Sequence, residues 1–276
     1  MESYRTRLFL ARRFSTATRA ENLMKPILRP VILRFDSLPS TNTEAARQAQ
    51  HGAPEGLCVV AREQTSGRGR QERVWISPAD AGLYFSIVLR PESLAPQSWP
   101  LLTLMSALAV HDALLEACQL ETDIKWPNDI IADDRKLCGI LAETVETESG
   151  RVVVVGIGIN LDDRAFPSEL KEIATSVAQR TGNKPDRETL LQSLVRAIER
   201  RYKILQSPGG EAATISEWTR RSSYAHDRRV RVSLSTEIFD GWTRGLEADG
   251  ALRVETDQGE LRIIRAGDIT SLRAQA

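Results

Sequence analysis

Apolar residues recur along this chain with two different spacings, and the change from one to the other divides it. Up to about Tyr224, short apolar runs alternate with stripes of helical period; beyond it, apolar positions fall on every second residue. Residues 31–35 read as an edge strand, 57–62 as a buried strand and 83–89 as the strand that follows. Leu101, Leu104, Met105, Leu108 and Leu115 keep helical spacing to about residue 118, with Pro100 at a first helical turn. Asp186 opens a second stripe of Leu190, Leu191, Leu194, Val195, Ile198 and Leu205, because its carboxylate can accept from an unpaired first-turn N–H. Pro208-Gly209-Gly210 ends that helix, and another follows over 211–221.

Three segments between these elements carry more than a core. Thr41 and Glu44 have capping-box spacing, which opens a helix over 44–50 that Gly52 ends. In residues 122–131, Ile124 and Trp126 alternate with Asp123 and Lys125, so Lys125 and Trp126 face opposite sides of a strand that Pro127 interrupts. With Trp126 in the core, Lys125 is a lysine mounted on a sheet. Residues 136–143 and 152–161 read as two strands joined near Glu148-Ser149-Gly150, and the second is apolar on both faces, hence central. Gly156 and Gly158 strip side chains from one of its faces, which weakens the strand unless something lies against that backbone. After Tyr224, residues 229–234, 237–244, 251–255 and 260–265 alternate, with hairpin turns at Asp249-Gly250 and Gln258-Gly259. The pattern predicts an α+β domain over 31–225, a mixed β-sheet with flanking helices, followed by a small β-barrel over 226–276.

Composition narrows the function. Lys plus Arg and Asp plus Glu both count 37, so the formal net charge is zero and a general nucleic-acid coat is not indicated. Cys58, Cys118 and Cys138 lack CxxC spacing, which argues against a disulfide framework or zinc site and fits a reducing cytoplasm. His51, His111 and His226 are scattered, so no Ser-His-Asp or Cys-His arrangement is on offer. No apolar run reaches the roughly 18 residues of a membrane span. Residues 1–34 hold eight Lys or Arg against two acids, the composition of a transit peptide or a disordered basic leader, and residues 1–30 are expected to form no folded domain.

The chemistry gathers in Gln64-Thr65-Ser66-Gly67-Arg68-Gly69-Arg70-Gln71-Glu72-Arg73-Val74-Trp75. Glycines at 67 and 69 let backbone N–H groups approach an anion. Arg68, Arg70 and Arg73 match phosphate or carboxylate in a planar, bidentate way, and Trp75 offers a face to a purine. By itself this also describes a solvated basic turn.

Together, Ser40-Thr41-Asn42, the Gly67-Arg68-Gly69-Arg70 loop with Arg73 and Trp75, Lys125-Trp126-Pro127-Asn128-Asp129, Arg135-Lys136-Leu137-x-Gly139-Ile140-Leu141-x-Glu143 and Gly156-x-Gly158-x-Asn160 resemble biotin protein ligase from about residue 35 onward. The resemblance implies a class II aminoacyl-tRNA synthetase-like catalytic fold with a C-terminal SH3-like barrel. It implies that biotin and ATP, with Mg²⁺ held mainly by phosphate and water, give biotinyl-5′-adenylate, and that the acyl group passes to a lysine of a biotin carboxyl carrier domain. Biotin would be bound by Ser40, Thr41, Asn42, Gln64, Gly67, Arg68, Gly69, Arg70, Lys125, Gly139 and Gly156. The nucleotide would be bound by Arg68, Arg70, Arg73, Trp75, Lys125, Asn128 and Asn160, with Lys125 and Arg70 catalytic and no protein metal ligand assigned. The family includes monomers and dimers joined through sheet edges, and the sequence does not decide between them.

Two departures stand out. The family loop usually carries a third glycine where this chain has Glu72, an acid placed to pair with Arg70 or Arg73. The 34 residues ahead of the motifs are too few for the winged helix-turn-helix of repressor ligases, so no operator DNA is expected as a partner. The rivals are a lipoate or octanoate ligase or transferase on the same scaffold and a non-enzymatic binding module with a recognition barrel.

Overall fold

The computed structural model describes residues 28, 30–164 and 166–272; the basic leader lies outside them, apart from Leu28 and Pro30. Seven strands form one sheet: β1 (Val31–Leu38), β2 (Leu57–Gln64), β3 (Gly82–Leu89), β4 (Asp123–Lys125), β5 (Asp129–Ala132), β6 (Arg135–Thr147) and β7 (Gly150–Asn160). Their order is β1-β2-β3-β7-β6-β5-β4. Only β1 and β2 run parallel, joined through helix α1 (Thr41–Gln50); the other pairs are antiparallel. The sheet is therefore mixed, and β7, expected to be central, is its middle strand. β1 begins at Val31, so the last residues counted with the basic leader are strand.

The pleat of β7 divides two cores. Val153, Val155, Ile157 and Ile159 join a large cluster with α2 (Leu101–Cys118) and α4 (Arg187–Leu205). Val152 and Val154 face the other way, against Ala45 and Ala49 of α1. On that second face the apolar side chains stop at Val154, and Gly156, Gly158 and Asn160 follow in the same phase. The cavity described below occupies this space.

α2 differs from the expectation for apolar runs. Pro96–Cys118 is long and apolar enough to cross a membrane by length and composition, although His111, Asp112 and Glu116 interrupt the run. It is the core helix: Leu101, Leu102, Met105, Leu108, Val110 and Leu114 are fully buried. α3 (Val177–Thr181), a short helix capped by Ser176, was not read from the sequence. α5 (Gly210–Arg221) closes the helical layer with Trp218 inside.

The C-terminal strands form a separate antiparallel sheet of five: β8 (His226–Ser233), β9 (Ile238–Leu246), β10 (Leu252–Thr256), β11 (Leu261–Ile264) and β12 (Asp268–Ser271), in the order β11-β10-β9-β8-β12. Four were expected; β12, which pairs with β8, was not. Val230, Val232, Leu252, Val254, Ile264 and Ile269 belong to the same apolar cluster as α2. The Trp126 indole N–H also donates to the Gly250 carbonyl at 3.1 Å, so the two sheets are fastened together beside Lys125.

Candidate active site

Gly158 on β7 and Gly139 on β6 are register partners, and Gly156 pairs with Leu141 on the same face. The bare backbone they leave is filled by two side chains. A Cβ at Gly158 would lie 2.5 Å from Trp75 Nε1, one at Gly139 3.1 Å from Trp75 Cζ3, and one at Gly156 2.1 Å from Asn42 Oδ1. The weakness that two glycines bring to a central strand is thus accounted for: the indole rests on one part of this floor and Asn42 on the other. Gly67 serves differently, since its Cβ would lie 2.3 Å from the Trp75 carbonyl oxygen. It permits the loop to fold on itself and does not line the cavity.

Over Gly156 a row of polar groups is joined end to end. The Thr41 N–H donates to Gln64 Oε1 at 2.8 Å, the Thr41 hydroxyl lies 3.1 Å from the same oxygen, and Gln64 Nε2 donates to Ser77 Oγ at 2.8 Å. Ser86 Oγ is 2.8 Å from Thr41 Oγ1 and 2.6 Å from Asn42 Oδ1, with one proton to give. Asn42 Nδ2 donates to the Leu141 carbonyl at 3.2 Å and to Glu143 Oε2 at 2.7 Å. Both Asn42 amide protons are therefore used inside the protein. Ser40, not Thr41, is the N-cap of α1, accepting from the Thr43 N–H at 3.5 Å. The capping-box reading fails because Thr41 is held by Gln64 and Ser86, while Glu44 pairs with Arg47 and Gln48. The weakly used Ser40 hydroxyl faces the cavity.

The Gly-Arg loop is a short flap. Trp75 N–H donates to the Gly67 carbonyl at 2.9 Å, Gly69 N–H to Arg73 at 2.7 Å, and Arg73 N–H back to Arg70 at 3.2 Å. Gln71 and Glu72 at its tip have φ of 54° and 60°, the left-handed conformation that a two-residue turn of this kind demands and that favours glycine. Glu72 does not pair with the loop arginines. Arg70 and Arg73 turn instead to Asp268 at the start of β12, Arg70 at 3.6 Å, and Arg70 also donates to Asn128 Oδ1 and the Gly267 carbonyl, each at 3.3 Å. Arg68 donates to Glu143 Oε2 at 2.9 Å.

The start of α1, the flap and the bare face of β6 and β7 open onto one cavity of about 430 Å³. It is lined by Ser40, Thr41, Asn42, Gln64, Arg68, Gly69, Arg70, Arg73, Trp75, Lys125, Asn128, Gly139, Gly156 and Asn160, which is every residue given a binding role from the sequence except Gly67. Trp126 is 3% exposed, so Lys125 takes the cavity face of β4. Burial pulls the Lys125 ammonium below its ordinary value, with nearby Asp129 opposing and Lys136 adding to the shift. Asn128 Nδ2 donates to the Ile140 carbonyl at 2.7 Å, and Asn160 Nδ2 to Thr175 at 3.0 Å, so each amide ties its strand to a neighbour.

Sequence reasoning missed several lining residues. Lys136 lies with Nζ 2.6 Å from Asp129 Oδ1 and 5.5 Å from the centre of the Trp75 ring. Asp268, Ile269 and Thr270 come from the overlooked β12. Val74, Ile76, Phe166, Leu170 and Ile173 add an apolar side, and Val74 and Ile173 are 77% and 61% exposed. The cavity thus has a polar end at Thr41 and Gln64, an aromatic and apolar end at Trp75, and a cationic middle. Among the described residues, Arg68, Arg70, Arg73, Lys125 and Lys136 line it against two carboxylates, Asp129 and Asp268. Such a site favours an anion, and an extended one.

Residues 34–160 match the model of the "Biotin/lipoate A/B protein ligase family", and residues 225–270 that of the "Biotin protein ligase C terminal domain". The chain is 39% identical over 238 residues to the bifunctional ligase/repressor BirA of Bacillus subtilis, covering 85% of this chain and 72% of that one. It is 34% identical over 239 residues to the biotin--[acetyl-CoA-carboxylase] ligase of Mycobacterium tuberculosis, covering 85% and 86%. The solved structure of biotin protein ligase from Aquifex aeolicus in complex with biotin and ATP superposes with a TM-score of 0.76 at 28% identity, over 88% of this chain and 99% of that one.

Proposed function

Because the chain belongs to the biotin/lipoate A/B protein ligase family, we infer that it is a biotin protein ligase. It joins biotin to ATP as biotinyl-5′-adenylate with release of pyrophosphate, then transfers the biotinyl group to a lysine of a biotin carboxyl carrier domain. The observation that carries this reading is that a directional polar row and five cations line the same cavity.

The polar end suits a ureido ring. Thr41 has its hydroxyl proton within reach of Gln64 and Ser86, so its oxygen is left to accept an N–H from the ligand. Ser40 retains a hydroxyl proton to donate to the ureido carbonyl. A dithiolane ring would meet these groups with no hydrogen bond to offer and leave them unpaired, which disfavours lipoate. With both its amide protons engaged, Asn42 positions its neighbours and is not itself a donor to biotin.

At the centre, the biotin carboxylate oxygen attacks the α-phosphorus and pyrophosphate leaves. Two anions must be brought together, and Lys125 lies where its charge offsets their repulsion and the charge that develops in the transition state. Arg68, Arg70 and Arg73 exchange their carboxylate partners for phosphate, and Trp75 on its glycine floor gives the adenine a platform, with Asn160 at that end. Magnesium arrives with ATP. Asp129 is engaged by Lys136, and Asp268 by Arg70 and Arg73, which leaves phosphate oxygens and water to hold the ion. In the second step the carrier lysine attacks the acyl carbon and AMP departs, so no covalent enzyme intermediate is required and catalysis rests on positioning and charge. The protein acts in the cytoplasm.

Incubation with biotin, ATP, Mg²⁺ and a biotin carboxyl carrier domain tests the reading by mass spectrometry. One biotinyl group on the carrier lysine is expected. Transfer of lipoate and not biotin would overturn it.

A further inference from the structure

We propose that Ser222 is a positioning residue for Lys125, closing the open edge of the strand on which that lysine is mounted. β4 ends the seven-stranded sheet and is three residues long. It pairs through Asp123, Ile124 and Lys125 with β5 on one side, and among the described residues no strand lies on the other. So short a strand, paired on one side, holds a side chain poorly by itself, while a charge set between two reacting anions tolerates little displacement. Both backbone groups of Ile124, the residue just before Lys125, are taken by side chains. Its N–H donates to Asp123 Oδ1 at 2.8 Å, and its carbonyl accepts from Ser222 Oγ at 2.5 Å.

Ser222 follows the last residue of α5, and its φ of −109° and ψ of 120° are extended. Ser222-Ser223 thus leaves the helical layer alongside β4 and stands in for the missing strand. The Ser223 N–H donates to Asp123 Oδ1 at 2.9 Å, and its hydroxyl bonds to Oδ2 of the same carboxylate. Ser222 is 7% exposed and its oxygen also accepts the Tyr224 N–H at 3.1 Å, so its own proton is directed at Ile124. On the other side of Lys125, the Trp126 indole is held by the Gly250 carbonyl. Lys125 therefore stands between two buried hydrogen bonds, one to the end of the helical layer and one to the C-terminal sheet. Neither Ser222 nor Asp123 lines the cavity, so both act on the reaction through Lys125.

The inference rests on the ligase reading, and biotin-dependent exchange of pyrophosphate into ATP tests it in the full-length protein. Ser222→Ala removes the donor to Ile124 and is expected to lower kcat for the exchange about tenfold, with KM for biotin and for ATP within about twofold. A merely structural role would lower the rate in any background; a role through Lys125 would not. In Lys125→Met, Ser222→Ala should therefore add no further loss of exchange, while it lowers the melting temperature by the same amount as in the wild-type protein. Asp123→Ala, at a half-buried position, should show the same dependence on Lys125 and serves if Ser222→Ala does not fold. An unchanged kcat, or an equal loss with and without Lys125, overturns the proposal. No exchange at all in the wild-type protein would overturn the ligase reading, and with it the part of Ser222 in catalysis. A second measurement needs neither biotin nor ATP: amide hydrogen exchange at Ile124 should quicken in Ser222→Ala, and unaltered exchange there would show that the edge of β4 does not depend on Ser222.

Discussion

Gly158→Ala tests whether the floor of the cavity supports the nucleotide through Trp75. The added Cβ would lie 2.5 Å from Nε1, 2.6 Å from Cε2 and 2.9 Å from Cζ2 of the indole, whereas carbon atoms rest about 3.5–4.0 Å apart. The ring must lift by about 1 Å, because β7 is paired along its length with β3 and β6 and cannot sink. Nor can the Trp75 backbone drift freely, since its N–H donates to Gly67 and its carbonyl accepts from Ser77 Oγ. Overpacking of this kind costs about 1–3 kcal/mol. With the ring on a cavity wall, the strain goes into tilting the platform, and KM for ATP is expected to rise roughly 5- to 150-fold. Biotin affinity, measured by calorimetry, should stay within about twofold, because the row over Gly156 is untouched. In a Trp75→Ala background there is nothing to collide with, and Gly158→Ala should add no further loss. An unchanged KM for ATP, or an undiminished effect without the indole, would refute the reasoning.

Gly156→Ala should do the converse: displacing Asn42 leaves buried amide groups unpaired, weakening biotin roughly 30-fold, about 2 kcal/mol, with little change in KM for ATP. Lys125→Met should raise the melting temperature, since it removes the cost of a buried ammonium. The sign follows from the lowered pKa: the protonated amine costs stability below its folded value, and wild-type stability should recover relative to the variant between that value and the ordinary 10.5, just where activity fades, as paired denaturation and rate profiles against pH would record. At Asp112 burial raises the carboxyl, but hydrogen bonds from Arg201, Arg221 and Arg200 outweigh it and hold the group well below its ordinary 3.8. Its contribution is complete above 3.8 and lost as the pH falls through the depressed value, so Asp112→Asn should cost about 3 kcal/mol in urea unfolding at neutral pH and flatten the acid limb. Glu72→Gly should relieve about 1 kcal/mol at a φ of 60°, slowing exchange at Gly69 and escape of the adenylate; unchanged exchange there would argue that the tip carries no strain.

What the sequence made legible was whatever repeats locally. The two-sided apolar pattern of residues 152–155 announced a central strand, and Gly156 and Gly158, two apart, announced a bare face on it. What it hid was pairing over distance. Nothing near Asp268 signals that it will meet Arg70, and β12 is four residues long, too short for alternation to register. Lys136 and Asp129 stood inside a recognised motif, but their ion pair depends on the β5–β6 register, which slips at a bulge between Ile130 and Ile131. Thr41 looked like a helix cap because local spacing allowed it; Gln64 and Ser86, 23 and 45 positions away, claimed its hydroxyl. Asn42 stands with the biotin-binding residues of the motif, and no local sign shows that its amide protons go to Leu141 and Glu143.

The central claim is that Lys125 and the flap arginines let two anions react in one cavity, and biotin-dependent exchange of pyrophosphate into ATP isolates that step from transfer. Wild-type protein should catalyse the exchange, while Lys125→Met should lose it by about 10²–10³-fold and still bind biotin in calorimetry. Exchange by Lys125→Met at close to the wild-type rate would contradict the account.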